Sequence, residues 1–260
     1  MSNQASSAND LVTQANKDFY AKTAAEYDKI GKGMVVKVAK TNAANILNRV
    51  PGIDDSETEL MDFAAGTGLL AMFLAPRCKT VTALDQMADI LTEAKEASQL
   101  EGKTFDVITC TNSYHHIPDP TKVTQILADF LKPGGYLAVV DLIKTDHSAE
   151  FHNAPITIEQ ADGTHRQVRH FSAARSEHAD NHGDHHQSHS HAHIHNHGHS
   201  EAKSHNHQHV IAHRGGFTKD QIQQFFTSAG LSLVDWGKSA QFEKHGKTYD
   251  NFLAIARKSA

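Results

Sequence analysis

Three groups of residues in this chain have types and spacings that could do chemistry together. The first is Asp62-Phe-Ala64-Ala-Gly66-Thr67-Gly68, an acid that runs into a glycine turn. Glycines let a backbone approach a ligand, and the free N–H groups of a helix start beside them favour a carboxylate or phosphate. The second is Asp85, 17 residues beyond Gly68. An acid there can accept hydrogen bonds from both hydroxyls of a ribose. The third is the run Asn112-Ser-Tyr-His115-His116-Ile-Pro-Asp-Pro120, where imidazoles could take up a proton.

The elements around these groups read as alternating strands and helices. Glu59–Phe63 is a short apolar run ending at the glycine turn, as a buried parallel strand does. Leu69–Ala75 reads as a short helix, Thr80–Leu84 as a strand ending at Asp85, and Met87–Leu100 as an amphipathic helix. Phe105–Cys110 is a third strand, followed by the loop Thr111–Pro120 and a helix over Val123–Leu131. Lys132-Pro-Gly-Gly135 closes that helix, and Tyr136–Ile143 is a further strand. Upstream, Leu11–Ile30 and Met34–Val50 are helical, the second stopped by Pro51-Gly52. Downstream, Thr218 is positioned to cap a helix over Lys219–Ser228. Leu231–Trp236 and Asn251–Arg257 are two terminal strands, joined by a polar connection holding Gly237 and Gly246. All three groups then fall at the carboxyl ends of strands, where open α/β sheets bind ligands.

The whole chain sets bounds on this reading. Its 260 residues, 39% hydrophobic, can bury one sizeable α/β core. A net charge of −5 without a dense Lys/Arg cluster argues against a nucleic-acid partner. No run reaches the roughly 18–20 apolar residues that span a bilayer. Met1–Ser7 lacks the pattern of a signal peptide. Cys78 and Cys110 stand apart without metal spacing and read as free thiols. The expected location is the cytoplasm. Fourteen of the 21 histidines fall between His178 and His213. That tract of His, Ser, Asn and Gly cannot form a packed core and reads as a solvated insert with adventitious zinc or nickel affinity.

Taken in order, Asp62-x-Ala64-x-Gly66-x-Gly68, Asp85, Phe105-Asp-Val-Ile, His115-His116-Ile-Pro-Asp119 and Leu131-Lys-Pro-Gly-Gly135 resemble the motifs of class I S-adenosylmethionine (SAM)-dependent methyltransferases. The likeness is greatest to the small-molecule type 11, or ubiquinone/menaquinone, group. Phe19-Tyr20 and Ala24-Ala-Glu-Tyr27-Asp28 resemble that family's N-terminal capping helix. The resemblance implies an α/β fold: a Rossmann-like three-layer sandwich, its sheet mostly parallel with a C-terminal antiparallel strand. It implies SAM as cofactor and a small-molecule methyl acceptor. Asp62 would lie near the methionine amino group, and the backbone of Ala64, Gly66, Thr67 and Gly68 under the cofactor. Asp85 would hold the ribose, and Gln86 beside it is a further cofactor-binding candidate. Asn112 would open the loop that approaches the transferring methyl, and Tyr20 and Tyr27 would close over the site. His115 and His116 are the candidate general bases for a hydroxyl acceptor.

The expected organisation is a disordered stretch 1–10, a capping segment 11–52, a SAM-binding core 56–145, an insert 146–213 carrying the histidine tract, and a closing segment 214–260. One departure from the family stands out. A strand, an acidic loop and a helix are expected between Leu100 and Phe105, where this chain has only Glu101–Thr104. The sheet should therefore lack one strand–helix unit, the one that normally holds the adenine. Two alternatives stay open at this point. One is an NAD(P)-dependent oxidoreductase, since Gly66-Thr-Gly68-Leu-Leu-Ala71 also fits a relaxed dinucleotide fingerprint. The other is a non-catalytic relative whose histidine-rich loop binds metal.

Overall fold

The computed structural model describes residues 33–85, 100, 102–152, 211–244 and 246–260, and the backbone of 156–159 and 165–168. Helix α1 (Met34–Arg49) buries Val38, Asn42, Ala43 and Ile46, one stripe at helical spacing, and ends at the extended Val50. Strand β1 (Glu59–Phe63) is buried on both sides after its first residue, as a central parallel strand must be. Helix α2 (Leu69–Leu74), strand β2 (Thr80–Leu84) and strand β3 (Phe105–Thr111) follow. Helix α3 (Pro120–Asp129) starts on a proline behind Asp119, whose carboxylate accepts the Lys122 N–H.

Strand β4 (Leu131–Leu142) completes the parallel part of the sheet. A separate two-stranded hairpin, β5 (Ile156–Glu159) and β6 (His165–Val168), lies in the insert. Helix α4 (Lys219–Ser228) carries the expected Thr218 cap as a capping box with Gln221. Strands β7 (Leu231–Lys244) and β8 (Lys247–Lys258) end the chain.

The main sheet has six strands in the order β2-β1-β3-β4-β8-β7. β2, β1, β3 and β4 run parallel, and β8 and β7 are antiparallel additions. One apolar cluster joins Ala43, Ile46, Leu70 and Leu74 to Leu60, Val107, Ala138, Val140, Leu253 and Ile255, so α1 and α2 cover one face. A second joins Leu127, Ile222 and Phe226 to Met61, Ile108, Leu137 and Val139, so α3 and α4 cover the other. This is the expected Rossmann-like three-layer sandwich. Among the described residues no strand lies beyond β2, in keeping with a sheet short of one unit. Cys78 and Cys110 are free and buried. Among the described residues no helix is long and apolar enough to cross a membrane.

Several boundaries differ from the sequence reading, each for a local reason. The terminal strands form one long hairpin that turns at Gly246 (φ +72°). Gly237 is a strand residue against which the Arg49 guanidinium packs; a Cβ there would meet Nη2 at 3.1 Å. Lys132-Pro-Gly-Gly135 does not end a helix but opens β4, with a register shift between Phe105 and Val107 that absorbs the proline. Pro120 begins α3 three residues earlier than apolar periodicity places it. The expected helices over 11–30 and 87–100 and the tract 178–209 lie outside the described residues, Leu100 apart.

After the insert the chain is fastened to the end of β4. Phe217 N–H donates to the Leu142 carbonyl (3.0 Å) and Lys144 N–H to the Phe217 carbonyl (2.9 Å). Gly216 makes this possible: at φ +70°, any Cβ would lie 2.1 Å from the Leu142 oxygen. At the opposite, amino end of the sheet, Lys132 Nζ donates to Glu59 Oε2 (2.9 Å) and Asp106 Oδ2 (2.8 Å). That Asp106 oxygen also accepts the Glu59 N–H (2.9 Å).

Candidate functional site

Asp62, the Ala64–Gly68 turn, Asp85 and Asn112 come together at the carboxyl ends of the neighbouring strands β1, β2 and β3. Registers fix the directions of the strand side chains. Asp62 pairs with Thr109 and Thr109 with Ala138, which lies in the cluster under α1 and α2. Directly paired residues share a face, so Asp62 points to the α1/α2 side.

Asp62 is 1% exposed. Its Oδ1 accepts the Thr109 hydroxyl (2.8 Å), while Oδ2 is buried with no hydrogen-bond partner among the described residues. Burial pushes its carboxyl up to about 7; the Thr109 hydroxyl and, less strongly, the Ala71 N–H pull the other way. A buried carboxyl oxygen left open is costly unless a donor arrives. An ammonium group is a donor of the right kind.

The turn beyond Asp62 is wound tightly. Ala64 (φ +58°), Gly66 (φ +56°) and Gly68 (φ +80°) all take left-handed backbone. Left-handed conformation at a residue with a Cβ, as at Ala64, costs about 1–2 kcal/mol and is typical of ligand-binding turns. A Cβ on Gly66 or Gly68 would meet nothing within 4 Å, so both glycines border open space. Thr67 is exposed between them. Ala65 N–H donates to the Leu84 carbonyl (3.0 Å) and Gly66 N–H to Asp85 Oδ1 (3.1 Å). The Asp85 carboxylate is thereby held against the turn on its exposed rim. Gln86, Tyr20 and Tyr27 lie outside the described residues.

Asn112 follows β3 in left-handed backbone (φ +53°), its N–H on the Val140 carbonyl (2.7 Å). Ser113 Oγ donates to the carbonyls of Thr111 (3.0 Å) and Ala64 (3.4 Å), tying this loop to the glycine turn. Tyr114–His116 then forms one 3-10 turn, with all three side chains buried. His115 is doubly bound to Asp141: its N–H donates to Oδ2 (3.1 Å), and Nδ1 lies 2.8 Å from Oδ1. Oδ1 also accepts the Leu142 N–H at 2.6 Å. Asp141 is fully buried and, by strand alternation from Val139, points to the α3/α4 side. The expected bases therefore do not share a sheet face with Asp62. They meet it only over the carboxyl edge, at Asn112 and Ser113.

More imidazoles gather there than the motifs announce. The His115 ring lies 4.2 Å from that of His116 and 4.8 Å from that of His152, centroid to centroid. His152 Nδ1 is 2.6 Å from the Arg214 carbonyl oxygen, and His213 N–H donates to the His115 carbonyl (2.9 Å). Burial holds His213 below the usual histidine range. His152 and His213 lie near the two ends of the insert, where no sequence period gives a fixed position. Among the described residues no group of His, Cys, Asp and Glu is arranged to hold a metal ion.

The chain is similar to known proteins over this region. Residues 37–235 match the family model of a methyltransferase domain. The chain is 36% identical over 114 residues to an uncharacterized methyltransferase of Schizosaccharomyces pombe, using 34% of this chain and 40% of that protein. It is 31% identical over 123 residues to a ubiquinone biosynthesis O-methyltransferase of Colwellia psychrerythraea, using 39% of this chain and 50% of that protein. The chain thus spans at most half the length of these relatives. Among solved structures it resembles the Burkholderia thailandensis 1,6-didemethyltoxoflavin-N1-methyltransferase with bound S-adenosylhomocysteine, at 14% identity and TM-score 0.54, over 100% of this chain and 94% of that one. At that identity the likeness is one of fold. These matches do not favour the oxidoreductase or the non-catalytic alternative.

Proposed function

We propose that this chain, which belongs to the class I SAM-dependent methyltransferase family, transfers a methyl group from SAM to a hydroxyl of a small molecule. The observation that carries the cofactor side is the open Oδ2 of Asp62 beside a glycine turn bordered by space. Asp62 would hold the cofactor's ammonium, the Ala64–Gly68 backbone would lie beneath it, and Asp85 would take the ribose hydroxyls. SAM supplies an activated methyl on a sulfonium, so the protein need only align it with a nucleophile and exclude water. In favourable cases positioning alone contributes about 7–11 kcal/mol.

The His115–Asp141 pair supports the hydroxyl reading. Asp141 orients the imidazole through Nδ1 and leaves Nε2 to receive the acceptor's proton as the methyl arrives. A thiolate or carboxylate acceptor would need no such base. The ubiquinone O-methyltransferase relatives carry oxygen methylation in their names, which agrees with this choice. His116 and His152 would pack the ring in place.

The test is transfer of labelled methyl from SAM to a panel of small phenols and alcohols, with His115→Asn beside the wild type. The expected outcome is a fall in kcat of about 100-fold or more with SAM affinity unchanged. Equal kcat in the two proteins would remove His115 from the chemistry.

A further inference from the structure

Asn251 belongs to no motif in the sequence, yet it sits where the loop after β3 meets the closing hairpin. It is fully buried on β8, opposite Leu142 of β4. Leu142 lies two residues beyond Val140 on the same face, so Asn251 points to the α1/α2 side, the side of Asp62. Its Nδ2 donates to Asn112 Oδ1 at 2.9 Å. Its Oδ1 is buried and has no hydrogen-bond partner among the described residues. Thr111 Oγ1, on that face of β3, is in the same condition.

We infer that Asn251 is a positioning residue for the cofactor site: it fixes Asn112, and through it the turn that faces the transferring methyl. This rests on the reading above, that the carboxyl ends of β1 to β3 seat SAM. Asn112 carries left-handed backbone at φ +53°, a state that persists only where neighbours over-determine it. Two bonds do so, one from its own N–H to Val140 and one to its side chain from Asn251. The large majority of buried side-chain amide groups are paired. Here half of the Asn251 amide is spent on Asn112 and the other half stays available beside the seat. β8 lies three strand spacings from β1, roughly 14 Å, so Asn251 cannot reach the group that Asp62 holds. Asn112, one spacing from Asp62, can.

The test is calorimetric titration of the full chain with SAM and, separately, S-adenosylhomocysteine, which lacks the methyl. Wild type, Asn112→Ala, Asn251→Leu and the double variant are compared. We expect Asn251→Leu to weaken SAM about tenfold and S-adenosylhomocysteine less than about threefold, as Asn112→Ala does. The double variant should be no weaker than Asn112→Ala, because both changes break one unit. Should Asn251→Leu not fold, judged by near-ultraviolet circular dichroism, Asn251→Ala takes its place with the same expectations. Binding of both ligands at wild-type strength, equal loss of both, or losses that add to those of Asn112→Ala would each overturn the inference. No SAM binding by folded wild-type protein would instead remove the cofactor seat on which it rests.

Discussion

The two ends of the same parallel strands are built to opposite standards. At the amino end, Lys132 answers both Glu59 and Asp106, Asp106 takes the Glu59 N–H, and Lys258 Nζ donates to the carbonyls of Ala128 and Leu131. At the carboxyl end, Asp62 Oδ2, Thr111 Oγ1 and Asn251 Oδ1 are buried and have no hydrogen-bond partner among the described residues. Both described non-glycine residues with positive φ, Ala64 and Asn112, are there too. Strain and unanswered polar atoms collect where a ligand completes the structure. The closed end secures the sheet, and on the function proposed above the open end would give up stability to seat the cofactor.

The sharpest way to break this contrast is Asp62→Asn. It should weaken SAM by about 100-fold, as loss of a buried charge-assisted bond does, yet stabilise the free protein at neutral pH. The sign follows from the carboxyl's rise from 3.8 to about 7. Folding favours the protonated form, so the Asp62 contribution to stability is most favourable below about pH 4 and declines as pH climbs to about 7. The penalty is constant above that and at most about 4 kcal/mol. The asparagine variant should lack the decline in urea unfolding followed across pH. Equal pH dependence in the two proteins would remove Asp62 as its source.

Two glycines separate the ends next. Gly66→Ala adds a Cβ to open space in left-handed backbone, so it should cost about 1–2 kcal/mol of stability but weaken SAM about tenfold. Gly135→Ala places a Cβ 3.0 Å from the carbonyl oxygens of Asp106 and Lys132. It should cost about 1–3 kcal/mol of stability and leave SAM affinity alone once folded. Chemical denaturation and calorimetry on both variants read the pair; the reverse pattern would undo the contrast. The smallest effect is expected from Lys132→Met, a partly exposed cation. Its melting temperature should fall modestly, the difference should shrink in high salt, and SAM affinity should not move.

Much of this frame could be read from residues. β1, β2 and α4 fall where apolar runs and the Thr218 cap place them, because burial and capping are local signals. The glycine turn and Asp85 were legible because short-range spacing brings them to adjacent strand ends. The terminal hairpin was not: Gly237 looks like a turn residue, and only its packing against Arg49 from α1 explains it within β7. Asp141 reads as one polar residue in an apolar strand, and nothing local says that His115, 26 residues earlier, claims it. Asn251 and His152 are set by contacts 139 and 62 residues away in sequence, and such pairings leave no periodic trace.

The most direct test of the open end is calorimetric titration of the wild-type protein with SAM from pH 6 to pH 8.5. Binding should weaken as pH falls below about 7, where Asp62 takes a proton, by about tenfold at pH 6. It should weaken again above about 8, where an α-amino group loses its charge. A folded protein that binds no SAM, or binds it with one affinity across the range, would contradict it.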